Sequence, residues 1–475
     1  MSIQNCSSRS VPARPVIRSS EAPSVTFATR AVVLVTLLCI LQGARAQSSA
    51  GGGDDRLGWW SQAKLGIFIH WGYYAVEDVS ESWSIWNKQI THAKYMEQAS
   101  GFTAERYDPA QWAELFRQSG ARYAVLTSKH HDGVCLWPSR FTRLNVVEKT
   151  PAGRDLIGPY CRALRESGLK VGLYFSLCDW SHPDYSVPFS RANSPDSSYR
   201  TEDYPRQGQE SLSAWERFLL YYKGQVRELS EFYRPDLYWF DGDWEHSAEE
   251  WKAKELRDSI LAWNPDAIIN SRLQGYGDYQ TPEQDPPLVR LKGPWELCMT
   301  INDNWGYRPS DTNFKSSREI IRTFVECLSG GGNLLLDIGP KPDGTIPPEQ
   351  ADRLRDLGRW IRAHEEAVYS TIAGLGPEYF YGPTTLSADS QTVYLYLLDT
   401  PKEFVVLKGV RNKIRRIRDV GTGREFTWIS RDSATWNDIP ALVLVTVPSD
   451  LPDAFVNVLA VELDSPLTLY HPPSR

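Results

Sequence analysis

The sequence lacks an excess of basic residues. Its 475 residues include 52 Lys and Arg against 59 Asp and Glu, which gives a formal net charge of −7. Nucleic acids and anionic membrane surfaces attract basic patches, so a negative balance argues against such partners. We therefore expect no nucleic-acid binding, and no internal repeat is evident.

Cysteines are few, and none of them form a CxxC pair. Two of the seven, Cys6 and Cys39, lie among the first 46 residues. The other five are widely scattered, at Cys135, Cys161, Cys178, Cys298 and Cys327. An odd and scattered set argues against a disulfide scaffold and against a zinc site. One or two disulfide bridges and free buried thiols both remain open.

No apolar run after residue 46 is long enough to cross a bilayer. The run at residues 31–41 (AVVLVTLLCIL) is also too short to span about 30 Å of hydrocarbon. It suits a signal peptide, because basic residues precede it and small residues follow it. The residues concerned are Arg9, Arg14, Arg18, Arg30, Ala44 and Ala46. We predict a signal peptide at 1–46, with an uncleaved anchor as the alternative, then a flexible mature N-terminus at 47–58.

A cleaved signal peptide has consequences for location. We expect a secreted, periplasmic or lysosomal protein with no membrane attachment after cleavage.

Apolar strand-like runs alternate with amphipathic helical runs along most of the chain. The strand-like runs are 64–72, 123–131, 170–176, 236–242, 267–273 and 333–340, and helical patterns lie at 109–120, 155–168, 213–233 and 316–330. Continuous apolar strands separated by helices indicate a parallel sheet that is buried on both faces. The sequence therefore predicts an α/β fold, a (β/α) TIM-like barrel over residues 59–372.

The C-terminal segment differs in character. From about Glu378 the helical period gives way to short strand-like runs separated by turn residues. These runs predict a C-terminal all-β sandwich over residues 373–475. The stretch from Ser181 to Glu210, rich in Ser, Pro, Asp and Tyr, predicts a long loop on the strand-end face.

Polar side chains occur where the predicted strands end. They are His70, His130, His131, Tyr174, Asp241 and Arg272. Taken alone, a strand-end histidine is more often structural, and a lone arginine is most often half of a salt bridge. Together they fall on the C-terminal face, where barrel enzymes build their active sites. The 18 tryptophans fit a sugar site, since indole faces bind sugar rings, but they fit a packed core equally well.

The stretch from Asp236 to His246 reads DLYWFDGDWEH and carries a carboxylate out of an apolar strand. Asp241 is surrounded in sequence by Trp239, Phe240 and Trp244. Burying even a neutral polar group without a partner costs roughly 2–7 kcal/mol, so the placement needs a function.

Glycoside hydrolysis requires a second carboxylate beside the first. Glu283 and Glu296 are the candidates on later loops. The prolines Pro282, Pro286 and Pro287 stiffen the loop of Glu283, which suits a general acid. Glu296 begins an apolar run and fits a buried structural or sugar-contacting role. The residue chemistry favours Glu283 and leaves Glu296 open.

Several motifs resemble those of the retaining α-L-fucosidases of glycoside hydrolase family 29. They run in order over about 300 residues: WWSQAKLGIFIHWG (59–72), SKHHDG (128–133), GLYFS (172–176), WFDGDW (239–244), INSR (269–272), DYQTPE (278–283), NDNWGY (302–307) and GGGNLLLDIGPKPDGTIP (330–347). The pair FIHWG and KHHDG is the most specific part of the resemblance.

The resemblance implies a catalytic barrel followed by a β-sandwich, and double displacement through a fucosyl-enzyme. Asp241 then matches the nucleophile and Glu283 the general acid/base. The other expected substrate-binding residues are His70, His130, His131, Tyr174, Arg272, Trp83, Glu81, Trp305 and Glu296. The implied substrate is a fucosylated oligosaccharide or glycoconjugate, and no cofactor or metal is expected.

Two positions depart from the family pattern. Ser82 separates Glu81 from Trp83, where the family commonly has Glu directly before Trp, so the contact of Glu81 is in question. Asp337 stands where Asn is common, and we interpret it as structural. The oligomeric state, the linkage preference and the natural glycan are not determined by the sequence.

Three other functions compete with this prediction. A related exo-glycosidase such as an α-L-galactosidase would use the same barrel. A non-catalytic fucose-binding protein would not need both Asp241 and Glu283. A metal hydrolase would use His70, His130 and His131 as ligands, but adjacent residues of a strand point to opposite faces.

Overall fold

The computed structural model describes residues 55–185, 212–431 and 439–471. The predicted signal peptide (1–46), most of the predicted mature N-terminus (47–58) and most of the predicted loop from Ser181 to Glu210 lie outside the described residues. Among the helices of the described ranges, none combines the length and the apolar character needed to cross a bilayer.

The N-terminal part of the fold is a curled parallel sheet of seven strands. Their order across the sheet is β5-β4-β3-β2-β1-β7-β6, and every pair is parallel. The strands are β1 (Leu65–Ile69), β2 (Tyr123–Lys129), β3 (Lys170–Ser176), β4 (Leu237–Asp241), β5 (Ile268–Ile269), β6 (Glu296–Thr300) and β7 (Asn333–Ile338). Nearly all of their residues are buried, which explains why these strands read as continuous apolar runs.

Residues 279–283 close the ring between the two edge strands. Isolated parallel bridges join Tyr279 to Asn270, Gln280 to Trp295, and Glu283 to Cys298. The segment therefore runs parallel to β5 and β6 and takes the place of an eighth strand. The candidate acid Glu283 stands at its C-terminal end, on the same face as the ends of the other strands.

Helices cover the outside of the sheet. In chain order they are α1 (Gly58–Ala63), α2 (Trp83–Trp86), α3 (His92–Glu97), α4 (Pro109–Gln118), α5 (Val146–Lys149), α6 (Ile157–Glu166), α7 (Leu212–Tyr233), α8 (Ala248–Trp251), α9 (Ala253–Trp263), α10 (Ser317–Gly330), α11 (Pro348–Ala363) and α12 (Glu365–Val368). Their starts are set by local chemistry. Asp108 caps α4 by accepting from the backbone N–H groups of Ala110 and Gln111.

The C-terminal part consists of two antiparallel sheets. One has the order β12-β15-β10-β9-β8, and the other has the order β11-β14-β13. The strands are β8 (Thr371–Ala373), β9 (Thr384–Ser387), β10 (Thr392–Leu397), β11 (Phe404–Leu407), β12 (Ile414–Asp419), β13 (Trp428–Arg431), β14 (Leu442–Thr446) and β15 (Asn457–Leu463).

Strand β10, inside the larger antiparallel sheet, is buried on both faces. On β10, Val393 and Leu395 belong to the apolar core between the two sheets. The alternate residues Tyr394 and Tyr396 belong to the core of the barrel. Successive side chains of a strand point to opposite faces, so one face of β10 belongs to the core between the two sheets and the other face to the core of the barrel.

The predicted fold class is confirmed, a TIM-like barrel followed by β-sheets. Strand β6 was not predicted, because the apolar run after Glu296 is short and follows a Pro- and Gly-rich stretch. Strands β8, β9 and β13 were also missed, since each has three or four residues. The domain limits 59–372 and 373–475 stay predictions. The five cysteines beyond residue 46 are free and buried.

Candidate active site

Asp241 is the last residue of β4 and lies at the bottom of a cavity of about 370 Å³. Alternation along the strand puts Trp239 on the same face, and both residues line the cavity. Phe240 points to the opposite face and packs against Phe175, so it does not surround Asp241 as the sequence suggested. Gly242 then turns the chain with φ of 76°, and a Cβ there would lie 2.8 Å from Sγ of Cys178.

Three polar groups surround the carboxylate of Asp241. The Tyr174 hydroxyl donates to Oδ2 at 3.0 Å, and Nη1 of Arg272 donates to Oδ1 at 3.0 Å. Nε2 of His131 lies 3.7 Å from Oδ2. Burial acts to lower the pKa of Arg272, but the nearby Asp241 and Glu283 carboxylates raise it above its ordinary value overall. Burial, together with Asp241, raises the pKa of Tyr174. Both side chains therefore keep their protons and can donate to the carboxylate.

The same arginine also holds Glu283. Its Nη2 donates to Oε2 of Glu283 at 2.7 Å, and its Nε donates to Oγ1 of Thr281 at 3.1 Å. One guanidinium group therefore bridges the two predicted catalytic carboxylates. The Glu283 side chain is 42% exposed, against 12% for that of Asp241, so Glu283 lies nearer the mouth of the cavity.

The three predicted histidines each use Nδ1 for a hydrogen bond to a buried polar group. His70 is bonded to Oδ1 of Asp337 at 2.7 Å. His130 is bonded to Oγ of Ser82, and His131 to Oγ of Ser176, both at 2.6 Å. These bonds orient the rings. In each ring, Nε2 is then the nitrogen that is left for another hydrogen bond. Asp337, expected to be structural, thus supports His70.

The partner of Ser176 determines the tautomer of His131. Ser82 differs, because it accepts a hydrogen bond from the backbone N–H of Asp132 and is also hydrogen-bonded to Nδ1 of His130. Ser176 donates to the Cys178 carbonyl, so it accepts from Nδ1 of His131. This leaves Nε2 of His131 as an acceptor without a partner among the described residues.

Burial keeps the histidines neutral. It lowers the pKa of His70 and of His130 well below the ordinary value, and a neighbouring imidazole lowers it further in each case. Burial and the Lys129 ammonium lower the pKa of His131 to about 3. Neutral imidazoles each offer one donor and one acceptor, which suits sugar hydroxyls. His70 and His130 line the cavity, whereas His131 lies behind Asp241.

Aromatic rings form the walls of the cavity. They are Phe68, Trp83, Trp239, Trp244 and Trp305. Trp305 packs on His70 with ring centroids 5.0 Å apart. Of the predicted site residues, Trp83 and Trp305 are therefore in place. Phe68 was missed, although its position two residues before His70 on β1 could have revealed a shared face. Cys298 also lines the cavity and was missed because β6 was missed.

Besides His131, two further predicted contacts do not line the cavity. Glu296 is fully buried and accepts hydrogen bonds from the Tyr123 hydroxyl and from Nε1 of Trp239, the latter at 3.1 Å. Burial raises its pKa to about 7. This placement disagrees with the predicted substrate contact and fits the structural role. Glu81 is also buried, and its carboxylate accepts from the backbone N–H of Gly306 instead of lining the cavity.

Within the described ranges, no group of three or more His, Cys, Asp or Glu side chains is arranged to hold a metal ion.

The sequence model of the family described as "Alpha-L-fucosidase" matches residues 50–366. An α-L-fucosidase of Branchiostoma floridae is 34% identical over 387 residues, which cover 74% of this chain and 81% of the relative. Human plasma α-L-fucosidase is 30% identical over 437 residues, which cover 82% of this chain and 87% of the relative.

Solved structures are similar as well. α-L-Fucosidase isoenzyme 1 from Paenibacillus thiaminolyticus has a TM-score of 0.78 at 33% identity, covering 86% of this chain and 99% of that one. A glycoside hydrolase family 29 α-L-fucosidase from Bacteroides thetaiotaomicron, described as a trapped covalent intermediate in complex with 2-fluoro-fucosyl fluoride, has a TM-score of 0.75 at 26% identity. That match covers 88% of this chain and 98% of the solved chain.

Proposed function

Since this chain belongs to the α-L-fucosidase family, we propose that Asp241 and Glu283 are the nucleophile and the general acid/base of fucoside hydrolysis. The activity is that of a retaining α-L-fucosidase, a glycoside hydrolase that acts on fucosylated glycans. The observation that carries the assignment of roles is the Arg272 guanidinium, which bridges the two carboxylates at 3.0 and 2.7 Å. Retaining enzymes need their carboxyl groups about 5–5.5 Å apart, a span that one guanidinium can bridge.

In the first step, an Asp241 oxygen attacks the anomeric carbon while the bond to the leaving oxygen breaks. Glu283 gives its proton to that oxygen, so the glycan leaves as a neutral alcohol. The sugar is then joined to Asp241 by an ester bond. Tyr174 and Arg272 hold the carboxylate in line for attack, because each donates a hydrogen bond to one of its two oxygens.

In the second step, water hydrolyses the ester bond between the sugar and Asp241. Glu283, now ionised, takes one proton from the water as its oxygen bonds to the anomeric carbon. Asp241 leaves as a carboxylate, and Glu283 is again protonated, so the enzyme returns to its starting state. The two inversions together retain the anomeric configuration.

The walls of the cavity match the chemistry of fucose. Fucose is a 6-deoxy sugar, so its methyl group needs an apolar surface and its three ring hydroxyls need hydrogen-bond partners. Phe68, Trp239 and Trp305 provide the apolar surface. We assign the hydroxyl contacts to the Nε2 atoms of His70 and His130, which line the cavity. His131 is fully buried beside Asp241 and does not line the cavity.

We also propose that the chain is exported. The support is the sequence of residues 1–46, with its basic start, short apolar run and small residues before the expected cleavage after Ala46. N-terminal sequencing of the protein recovered outside the producing cell tests this. A mature chain that begins at Gln47 is the expected result, and an intact leader contradicts the proposal.

Two measurements on the purified protein test the catalytic proposal. NMR of the first product from an aryl α-L-fucoside should show α-L-fucose, because two inversions retain the configuration. Mass spectrometry after treatment with 2-fluoro-fucosyl fluoride should locate the added sugar on Asp241. The Asp241→Ala variant is the control and should stay unlabelled. Initial β-L-fucose, or a label elsewhere, contradicts the assignment. Faster hydrolysis of the matching α-L-galactoside would favour the related exo-glycosidase.

A further inference from the structure

A second cavity, of about 660 Å³, lies at the N-terminal end of the barrel strands, opposite the active site. Its wall includes Lys64, which directly precedes β1, and Gly293, which comes shortly before β6. The cavity is also lined by Gly331, which precedes β7, and by Ser370, which follows α12. His70 follows β1 at the other end, so this cavity and the active site occupy opposite faces of the barrel.

Lys64 is a largely buried residue whose cation has no counter-charge. The residue is 4% exposed, and its ammonium group makes no hydrogen bond or ion pair with any other residue that the structure describes. The Nζ atom keeps some contact with solvent at the cavity. Burial lowers its pKa to about 8, and no acidic side chain offsets this effect. A buried ammonium is normally paired, because removing it from water is costly. Lys129 shows the usual arrangement, since it is buried and lies 3.3 Å from Oδ2 of Asp179.

Two of the nine described non-glycine residues with positive φ line the same cavity. Lys64 has φ of 61°, and Ser370 has φ of 57°. These are left-handed conformations that non-glycine residues rarely adopt, and both side chains belong to the cavity wall. Strain of this kind persists where the surrounding structure enforces it, and it is often found at ligand sites.

The cavity wall has positive charge and no acid. Among its lining residues, all of them described, Lys64 and Arg290 are the charged ones, and neither Asp nor Glu is present. Arg290 donates from Nη2 to the carbonyls of Ser329 and Gly374, both at 3.0 Å, so no carboxylate neutralises it. The hydroxyl groups of Ser61 and Ser370 on the wall add neutral donors.

We propose that this cavity binds a small oxyanion, a carboxylate or a phosphate group, with the Lys64 ammonium as its main contact. An anion there would supply the counter-charge that the protein does not provide. The volume of about 660 Å³ admits a metabolite-sized molecule that carries such a group. The site is independent of the fucosidase reaction, since no residue of the active site takes part in it.

The first test measures anion binding to the purified full-length protein. Inorganic phosphate and succinate are the two probes, each at constant ionic strength against chloride, so the result separates phosphate from carboxylate ligands. Calorimetric titration should show one site per chain for at least one probe. The same probe should raise Tm by about 2 °C or more at saturation.

Two variants show whether the binding depends on Lys64. Lys64→Met removes the charge and should weaken binding of the probe by about tenfold or more. The matched control is Lys170→Met, because Lys170 begins β3 on the same face but is half exposed and paired with Asp236 at 2.8 Å. It should leave binding unchanged. Fucoside hydrolysis confirms that both variants are folded. Absence of binding by both probes, or equal loss in the two variants, overturns the proposal.

A chemical measurement on the unmodified protein covers the case in which Lys64→Met does not fold. Pyridoxal phosphate carries both an aldehyde and a phosphate group. Its aldehyde forms an imine with an unprotonated amine and releases water, and borohydride then reduces the imine to a stable secondary amine. At pH 8, peptide mapping should find Lys64 labelled, and an excess of the probe that binds, inorganic phosphate or succinate, should protect it. An unlabelled Lys64, or labelling that neither probe reduces, overturns the proposal.

Discussion

The hydroxyl of Ser82 lies 2.6 Å from Nδ1 of His130, and the residue that interrupts the family pattern therefore supports a histidine of the active site. Glu81 does not line the cavity, and its carboxylate is buried against the backbone N–H of Gly306. Ser82 therefore contacts a residue of the site, whereas Glu81 does not.

Ser82→Ala should reduce kcat/KM, because His130 would lose the hydrogen bond to Nδ1 that orients its ring. One neutral hydrogen bond contributes about 0.5–1.5 kcal/mol, so the loss should be up to about tenfold, mainly through KM. Ser84→Ala is the matched control, since Ser84 is a buried serine of α2, which Ser82 directly precedes, and its hydroxyl has no partner among the described residues. Steady-state kinetics that show equal losses for both variants would contradict the role of Ser82.

The Asp241→Ala and His70→Ala variants should affect different kinetic constants. Removing the nucleophile should abolish nearly all turnover, because no ester can form. Removing His70 should mainly raise KM, since a hydroxyl contact worth about 1–3 kcal/mol acts in both the bound substrate and the transition state. Kinetics of both variants, with circular dichroism as a check on folding, measure this. Equal loss of turnover in a folded His70→Ala protein would show that the division of roles is wrong.

Glu283→Ala should be rescued by azide. An aryl fucoside with a good leaving group needs little protonation, so the fucosyl-enzyme still forms in this variant. It then accumulates, because no general base is present to deprotonate the attacking water. Azide needs no base and should restore turnover, with a fucosyl azide as the product.

Glu296→Ala is the control for this rescue. It should show no azide product, and it should lower Tm instead, because the Tyr123 hydroxyl and the Trp239 indole N–H lose their buried acceptor. Azide rescue in the Glu296 variant alone would reverse the assignment of the acid/base.

The stability of the protein should depend on pH through Glu296. Burial raises its pKa to about 7 from an ordinary value near 4.5. Below pH 4.5 both the folded and the unfolded states hold the proton. Between pH 4.5 and 7 the unfolded state releases it first, so stability falls as pH rises, by a total on the order of 3 kcal/mol.

Glu296→Gln cannot titrate and provides the reference for this effect. Urea unfolding of both proteins at several pH values gives the difference between their unfolding free energies. The wild type should lose stability relative to the variant between pH 4.5 and 7, with no further change above pH 7. A difference that stays constant over that range would contradict the raised pKa.

Much of the architecture could be predicted from local patterns. Six barrel strands were recognisable because each is a continuous apolar run bounded by turn residues. Strand β6 was not, since its five residues carry no such signal, and its place in the sheet comes from pairing with β7. The closing segment of residues 279–283 has even less local signal, because its bridges join residues that are distant in the chain or separated by loops.

The sequence by itself determined the kind of site: a carboxylate at the end of an apolar strand, with histidines, a tyrosine and an arginine at the ends of its neighbours. This is readable because parallel strands must bring their C-terminal ends to one face. Only the tertiary structure decided between Glu283 and Glu296 for a place beside Asp241. Both carboxylates are near the same edge of the barrel, but Glu283 ends the closing segment within reach of Arg272, whereas Glu296 points to Tyr123 and Trp239. The direction of a side chain depends on the register between strands, and register arises from pairing across the whole sheet.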